Sequence, residues 1–264
     1  MIDLSRNIKK NTNKNDEIVE EYTIDLVKRN TKNSTNKTAS APITLKKSIV
    51  DLTKKAKAEI DKQGLGTTKS QVVLVLDISK SMNRLFKSGV MQELIERILG
   101  LAINFDDDGC IDLMLFGTRA YQLPNVSVDD LDCYVEREIL ANYSIIEATR
   151  YATALEMIKN KYQGNSAEPV FVIFITDGNN SDKKESTDLI TNLSKESIFF
   201  QFIGIGKESF PYLMKLDDLP NRYLDNAGFA HINDIASIDD SALYSRLLNE
   251  YPDWIKSASE KGMI

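Results

Sequence analysis

Asp77, Ser79 and Ser81 place three oxygen-bearing side chains in alternate positions directly after the apolar run Gln71-Val-Val-Leu-Val-Leu76. An uninterrupted apolar strand of this kind belongs to a parallel sheet covered on both faces. In such sheets, ligands collect at the carboxyl ends of strands, where the chain order reverses. Carboxylate and hydroxyl oxygens are hard donors that suit magnesium or calcium rather than zinc or copper. A second apolar run, Pro169-Val-Phe-Val-Ile-Phe-Ile-Thr176, empties into Asp177-Gly178, and Thr149 opens a helical stretch that continues to Leu155. Taken singly, Asp-x-Ser-x-Ser reads equally well as a turn with a helix cap, and Asp-Gly reads as a turn. Two acidic strand ends, a serine pair and a placed threonine are together hard to read as turns.

The elements that must carry these residues are legible as an alternation. Strand-like segments lie at 71–77, 110–116, 169–176 and 198–204, and helix-like segments near 89–104, 149–162, 183–195, 208–217 and 239–250. Alternation of this type predicts an α/β, Rossmann-like doubly wound and mostly parallel sheet with helices on both faces. Arg119 to Leu123 follows the second strand after only Gly117-Thr118, short enough for one antiparallel edge strand. Before the first strand, Leu45, Ile49, Leu52, Ala56 and Ile60 recur at helical spacing and Gly64 ends the pattern. Residues 1–40 are rich in Asn, Lys and Thr, and their low apolar content predicts a solvated extension. Within it, Glu17 to Arg29 fits a short helix, although Tyr22, Ile24 and Leu26 equally fit strand alternation. The division expected is therefore an extension at 1–40, a helical lead-in at 41–70 and the main domain at 71–264.

The combination of Asp77, Ser79, Ser81, Thr149 and Asp177 resembles the metal-ion-dependent adhesion site of von Willebrand factor A (vWA) domains. That family's pattern is Asp-x-Ser-x-Ser, then a Thr on a second loop and an Asp on a third. The resemblance covers about residues 70–250 and extends to the small bacterial branch associated with tellurium and toxic-cation resistance. Phe171 to Gly178, Phe199 to Gly206, Leu216 to Leu219, Leu224 to Phe229 and Leu243 to Trp254 carry it. It implies a non-catalytic protein-interaction module with a Mg2+ site, Ca2+ or Mn2+ being alternatives. Ser79, Ser81 and Thr149 would bind the ion directly, Asp77 and Asp177 largely through water. One open position would accept an Asp or Glu carboxylate from a partner protein. Two departures stand out: Lys80 where the branch often has Gly, and Ala148-Thr149-Arg150 in place of Gly-Thr-Asn. An inward Lys80 would weaken cation binding, and an outward one would attract an anionic partner.

Charge and composition exclude other classes. Residues 1–70 carry 15 Lys/Arg against 9 Asp/Glu, and the rest carries 18 against 30. An acidic main domain does not suit a nucleic-acid surface. Two cysteines, no apolar leader and no run of about 18 apolar residues predict a cytoplasmic chain without a membrane span. His231 is the only histidine and has no nucleophile to serve. Cys110 is expected in the core, and Trp254 on a tail helix docked against the sheet. Asp106-Asp-Asp-Gly109 lacks the donors of a calcium loop, and Gly204-Ile-Gly206-Lys207 fits neither phosphate motif. A phosphohydrolase would also place an aspartate at the first strand end, but it needs a second Asp where Ser79 stands. A scaffold that has lost its metal is the remaining alternative, motivated by Lys80. The sequence leaves the oligomeric state open.

Overall fold

The computed structural model describes residues 42–106 and 108–264. The extension expected over 1–40, including Glu17 to Arg29, lies outside the described residues. Six strands form one sheet: β1 (Gln71–Asp77), β2 (Asp112–Phe116), β3 (Ala120–Gln122), β4 (Val170–Thr176), β5 (Ile198–Ile205) and β6 (Ala227–Ile232). Their order is β3-β2-β1-β4-β5-β6, and every pair is parallel except β2 with β3. The doubly wound sheet with one antiparallel edge strand is thus the architecture observed. Its switch point lies between β1 and β4, which run side by side from Gln71 opposite Val170 to Leu76 opposite Ile175.

The strand pleat divides the core into two layers. Leu74, Leu76, Leu113, Leu115, Phe171, Ile173 and Ile175 face α1 (Pro42–Lys62), α3 (Val90–Phe105), α7 (Asp240–Leu247) and α8 (Tyr251–Glu260). Val73, Val75, Met114, Phe116, Val172 and Phe174 face α4 (Tyr151–Tyr162), α5 (Lys183–Leu193) and α6 (Pro211–Asp217). A five-residue helix, α2 (Asn83–Lys87), follows the β1 turn, and a π-helical segment spans Val135–Leu140. With both faces covered, the buried side chains of β1 and β4 become a rigid floor from which their terminal residues project.

Several boundaries differ from the sequence reading. Helix α4 begins at Tyr151, leaving Thr149 in the preceding loop, and Pro211 opens α6 at its first helical position. The helix expected over 239–250 is α7, which ends at Leu247, and the tail helix expected to carry Trp254 is α8, opening at Tyr251-Pro252. Strand β6 was not among the expected strands. Ala-Gly-Phe-Ala-His-Ile lacks a β-branched run, and pairing with β5 supplies what propensity does not. Cys110 is half-buried before β2 rather than in the core, and burial first, then nearby Asp108, pushes its thiol up to about 11. Trp254 is 3% exposed, its ring 5.7 Å from Phe199 of β5, as expected of a helix docked on the sheet.

Helix α1 joins the core through Ile49, Leu52, Ala56 and Ile60. It approaches α3 at Gly100, where a Cβ would stand 2.8 Å from Leu52 Cβ and 3.1 Å from the Leu52 carbonyl carbon. Alanine would gain about 1 kcal/mol of helix propensity there. The clash is with backbone and Cβ, which cannot swing aside, and overpacking of this sort costs about 1–3 kcal/mol. Gly100→Ala is therefore expected to lower the urea midpoint; a raised midpoint would show that α1 does not bear on α3.

Glu250, at the start of α8, lies against Gly228 of β6, where a Cβ would stand 2.9 Å from its carboxyl carbon. Burial, followed by the charge of Asp217, pushes its carboxyl up to about 7 from 4.5. The native state then binds more protons than the unfolded chain between those values, so stability falls as pH rises through that window. Glu250→Gln should be more stable than the parent at pH 8, and the difference should shrink toward pH 4.5. Thermal melts of both at the two pH values check this.

Candidate metal centre

At the end of β1 the chain buries an aspartate completely. Asp77 accepts from the Ser79 backbone N–H at 2.7 Å through Oδ1 and from the Thr176 hydroxyl at 2.6 Å through Oδ2. The first bond folds Asp77 to Ser79 into a tight turn, and the second ties β1 to its neighbour β4. Burial raises the Asp77 carboxyl to about 6, against the lowering effect of the Thr176 and Ser79 bonds. A cation close by would restore the ionised form.

The turn then presents the two serine hydroxyls. Ser79 Oγ and Ser81 Oγ are 3.2 Å apart, and Ser81 Oγ donates to Asp177 Oδ1 at 2.6 Å. Asp177 is half-buried, and burial is the main cause that raises its carboxyl, with Ser81 opposing it. Thr149 reaches the same place from the second loop: its Oγ1 is 3.9 Å from where a Cβ on Gly178 would stand. The structure therefore brings Asp77, Ser79, Ser81 and Asp177 into one bonded chain, with Thr149 beside the last of them. Among the described residues no three of His, Cys, Asp and Glu gather at one point. The set is built mainly of hydroxyls, with two carboxylates, a donor chemistry that fits a small hard cation rather than a soft one.

Residues with no signal of their own hold the Thr149 loop. Glu147 bridges Ser79 in parallel pairing, with Lys80 N–H donating to the Glu147 carbonyl at 3.3 Å. Its carboxylate accepts from Thr118 Oγ1 at 2.6 Å and from Tyr121 hydroxyl at 2.7 Å on the β2–β3 hairpin. Burial would raise this carboxyl, but those donors outweigh it and hold it below the ordinary value. Gly117 is required here, because a Cβ would overlap the Glu147 side chain. Asn83 adds a bond from Nδ2 to the Ile145 carbonyl at 3.1 Å. Asp182 completes the frame. It occupies the N-cap position of α5, yet its carboxylate accepts from Tyr151 and Ala152 N–H at 3.1 and 2.9 Å, capping α4 instead. The only sequence signal for Asp182 is an acidic residue before a helix, which points to the wrong helix.

Both departures in the motif find a place. Lys80 is exposed at the start of a 3-10 turn whose last residue, Met82, is buried in the core. Arg150 lies 3.8 Å from Asp182 and 3.3 Å from Glu185, so its charge is matched locally. Gly204 and Gly206 end β5, Gly204 because Phe210 packs where a Cβ would be, and His231 Nε2 meets the Gly206 carbonyl at 2.6 Å. No helix among the described residues is long and apolar enough to cross a membrane.

A family model described as the vWA domain found in the TerF C terminus matches residues 69–264. An uncharacterized protein of Bacillus subtilis (strain 168), YcbR, is 40% identical over 220 residues, 81% of this chain and 90% of that protein. Among solved structures, the SpRpn10 VWA domain superposes with a TM-score of 0.50 at 14% identity, covering 69% of this chain and 95% of that one. Proximal thread matrix protein 1 from the mussel byssus, whose structure has a zinc-occupied MIDAS motif, gives 0.49 at 15% identity, covering 70% and 48%.

The role of Asp182 is measurable. Asp182→Ala removes a charged cap from α4 and should cost about 1–2 kcal/mol of stability. Glu185→Ala removes only the exposed partner of Arg150 and should cost less than about 0.5 kcal/mol. Equal losses in urea denaturation would refute the cap.

Proposed function

The chain belongs to the vWA-TerF-like family, and from that premise we propose that it is a non-catalytic interaction module. It would capture a carboxylate of a partner protein through a divalent cation, Mg2+ foremost, with Ca2+ or Mn2+ as alternatives. The observation that carries this reading is the bonded series from Asp77 through Ser79 and Ser81 to Asp177 across the sheet's switch point. Ser79, Ser81 and Thr149 would supply neutral oxygens to the ion. Asp77 has both oxygens engaged by Ser79 and Thr176, so its part is to fix the turn and supply charge from behind. Asp177, tethered by Ser81, would act from the other side. The bound ion would supply an electrophilic point at which an incoming anion is held. Neutral ligands leave its charge largely uncompensated, which favours an acid group from outside.

A role in a tellurium or toxic-cation stress system, which the family name suggests, belongs to the same proposal, as does residence in the cytoplasm. So does the division into an extension at 1–40, a lead-in at 41–70 and the domain at 71–264. The phosphohydrolase reading needs an acid at the Ser79 position, where a hydroxyl bonded to Ser81 stands.

Titration calorimetry with Mg2+, Mn2+ and Ca2+ tests the proposal. The parent chain should bind at least one ion. Ser79→Ala with Ser81→Ala should weaken that binding by at least about tenfold while melting as a single folded species, because these hydroxyls contribute little packing. Equal ion binding by parent and variant would reject the site. Hydrolysis of a generic phosphate ester, lost on Asp77→Asn, would instead establish an enzyme.

A further inference from the structure

Helices α5 and α6 enclose an open cleft of about 450 Å3 lined by Lys183, Lys184, Thr187, Asp188, Pro211, Tyr212 and Lys215. Three ammonium groups in one cleft stand out on a domain that carries 18 Lys/Arg against 30 Asp/Glu after residue 70. Of the carboxylates near them, Asp188 pairs with Lys184 at 2.7 Å, Glu185 pairs with Arg150, and Glu208 lies on the β5–α6 loop toward Asp177. Lys183 and Lys215 are exposed and make no salt bridge with a described residue, Lys183 resting over the Tyr212 ring at 5.8 Å. The Tyr212 hydroxyl donates to the Lys183 carbonyl at 2.7 Å and meets Thr187 Oγ1 at 3.0 Å, which fixes the floor between the helices.

One short loop leads from the candidate centre to the cleft. Asp177 and Lys183 bound one short loop, within which Tyr151 hydroxyl donates to the Gly178 carbonyl at 2.7 Å and Asn179 reaches Ser209 just before α6. Two large apolar side chains are exposed on these elements: Met214 of α6 is 57% exposed, and Ile146, three residues before Thr149, is 66% exposed. A charge of this sign beside an anion-accepting centre attracts a ligand bearing more than one anionic group.

We propose that the α5–α6 cleft is a second carboxylate subsite, so that the partner docks as an acidic peptide segment with one carboxylate at the centre and another among Lys183, Lys184 and Lys215. This deepens the function proposed above and rests on it for the first of the two contacts. An open cleft suits an extended segment of protein, and the exposed Met214, next to Lys215 in α6, gives its apolar side chains a surface to cover.

Fluorescence anisotropy of a labelled octaglutamate on the full chain tests this, in millimolar Mg2+ and in chelator, with Lys183→Glu/Lys215→Glu as the cleft variant. A second charge-reversed variant, Lys195→Glu/Lys256→Glu, lies at exposed positions elsewhere and controls for overall charge. The expected result is Mg2+-dependent binding that the cleft variant weakens by at least about tenfold and the control variant changes by less than about twofold. Chelator-sensitive binding that ignores Lys183 and Lys215 overturns the cleft and leaves the metal reading standing. Lysine-dependent binding that ignores chelator overturns the metal half, and with it the two-point arrangement. Equal losses in both variants, no binding by the parent, or tighter binding of a phosphoserine peptide of the same charge also overturn the proposal.

Discussion

A carboxylate with no contact with water sets the geometry of this protein's upper face. Removing Asp77 from solvent is costly unless donors replace the lost hydration. Two do so: the Ser79 backbone, which forces the β1 end into a turn, and the Thr176 hydroxyl, which locks that turn to β4. Satisfying one buried acid therefore fixes the direction of the Ser79 and Ser81 hydroxyls and the position of the Asp177 loop. Burial still holds the Asp77 carboxyl well above its ordinary value. The protein donors alone leave it incompletely compensated, which is the electrostatic condition that favours a nearby cation.

The loop that brings Thr149 is secured by a different device. Glu147 and Asp182 are carboxylates spent on position: the first on hydroxyl donors of the β2–β3 hairpin, the second on the first amides of α4. Both lie close to the centre, yet their oxygens are already taken by these donors. These two acids frame the site from the side of the Thr149 loop.

The apolar layers were readable because burial on both faces leaves an unbroken signature. Runs such as Val72 to Leu76 and Val170 to Ile175 have few uses outside a covered sheet. Strand β6 left no such mark, being an edge strand of small and mixed residues that β5 recruits.

The sequence by itself determined the fold class and the two acidic strand ends, and marked Asp77, Ser79, Ser81, Thr149 and Asp177 as candidates, since local pattern and donor chemistry are written in the chain. The tertiary structure decided which of these meet and which neighbours hold them. Lys80 turned outward, Asp182 capping a helix that precedes it in the chain, Glu147 filling the space above Gly117 and a lysine cleft formed by two helices all depend on segments distant in sequence. Periodicity reports the environment along one segment, whereas hydrogen bonds and clefts between segments exist only after the sheet has set their spacing.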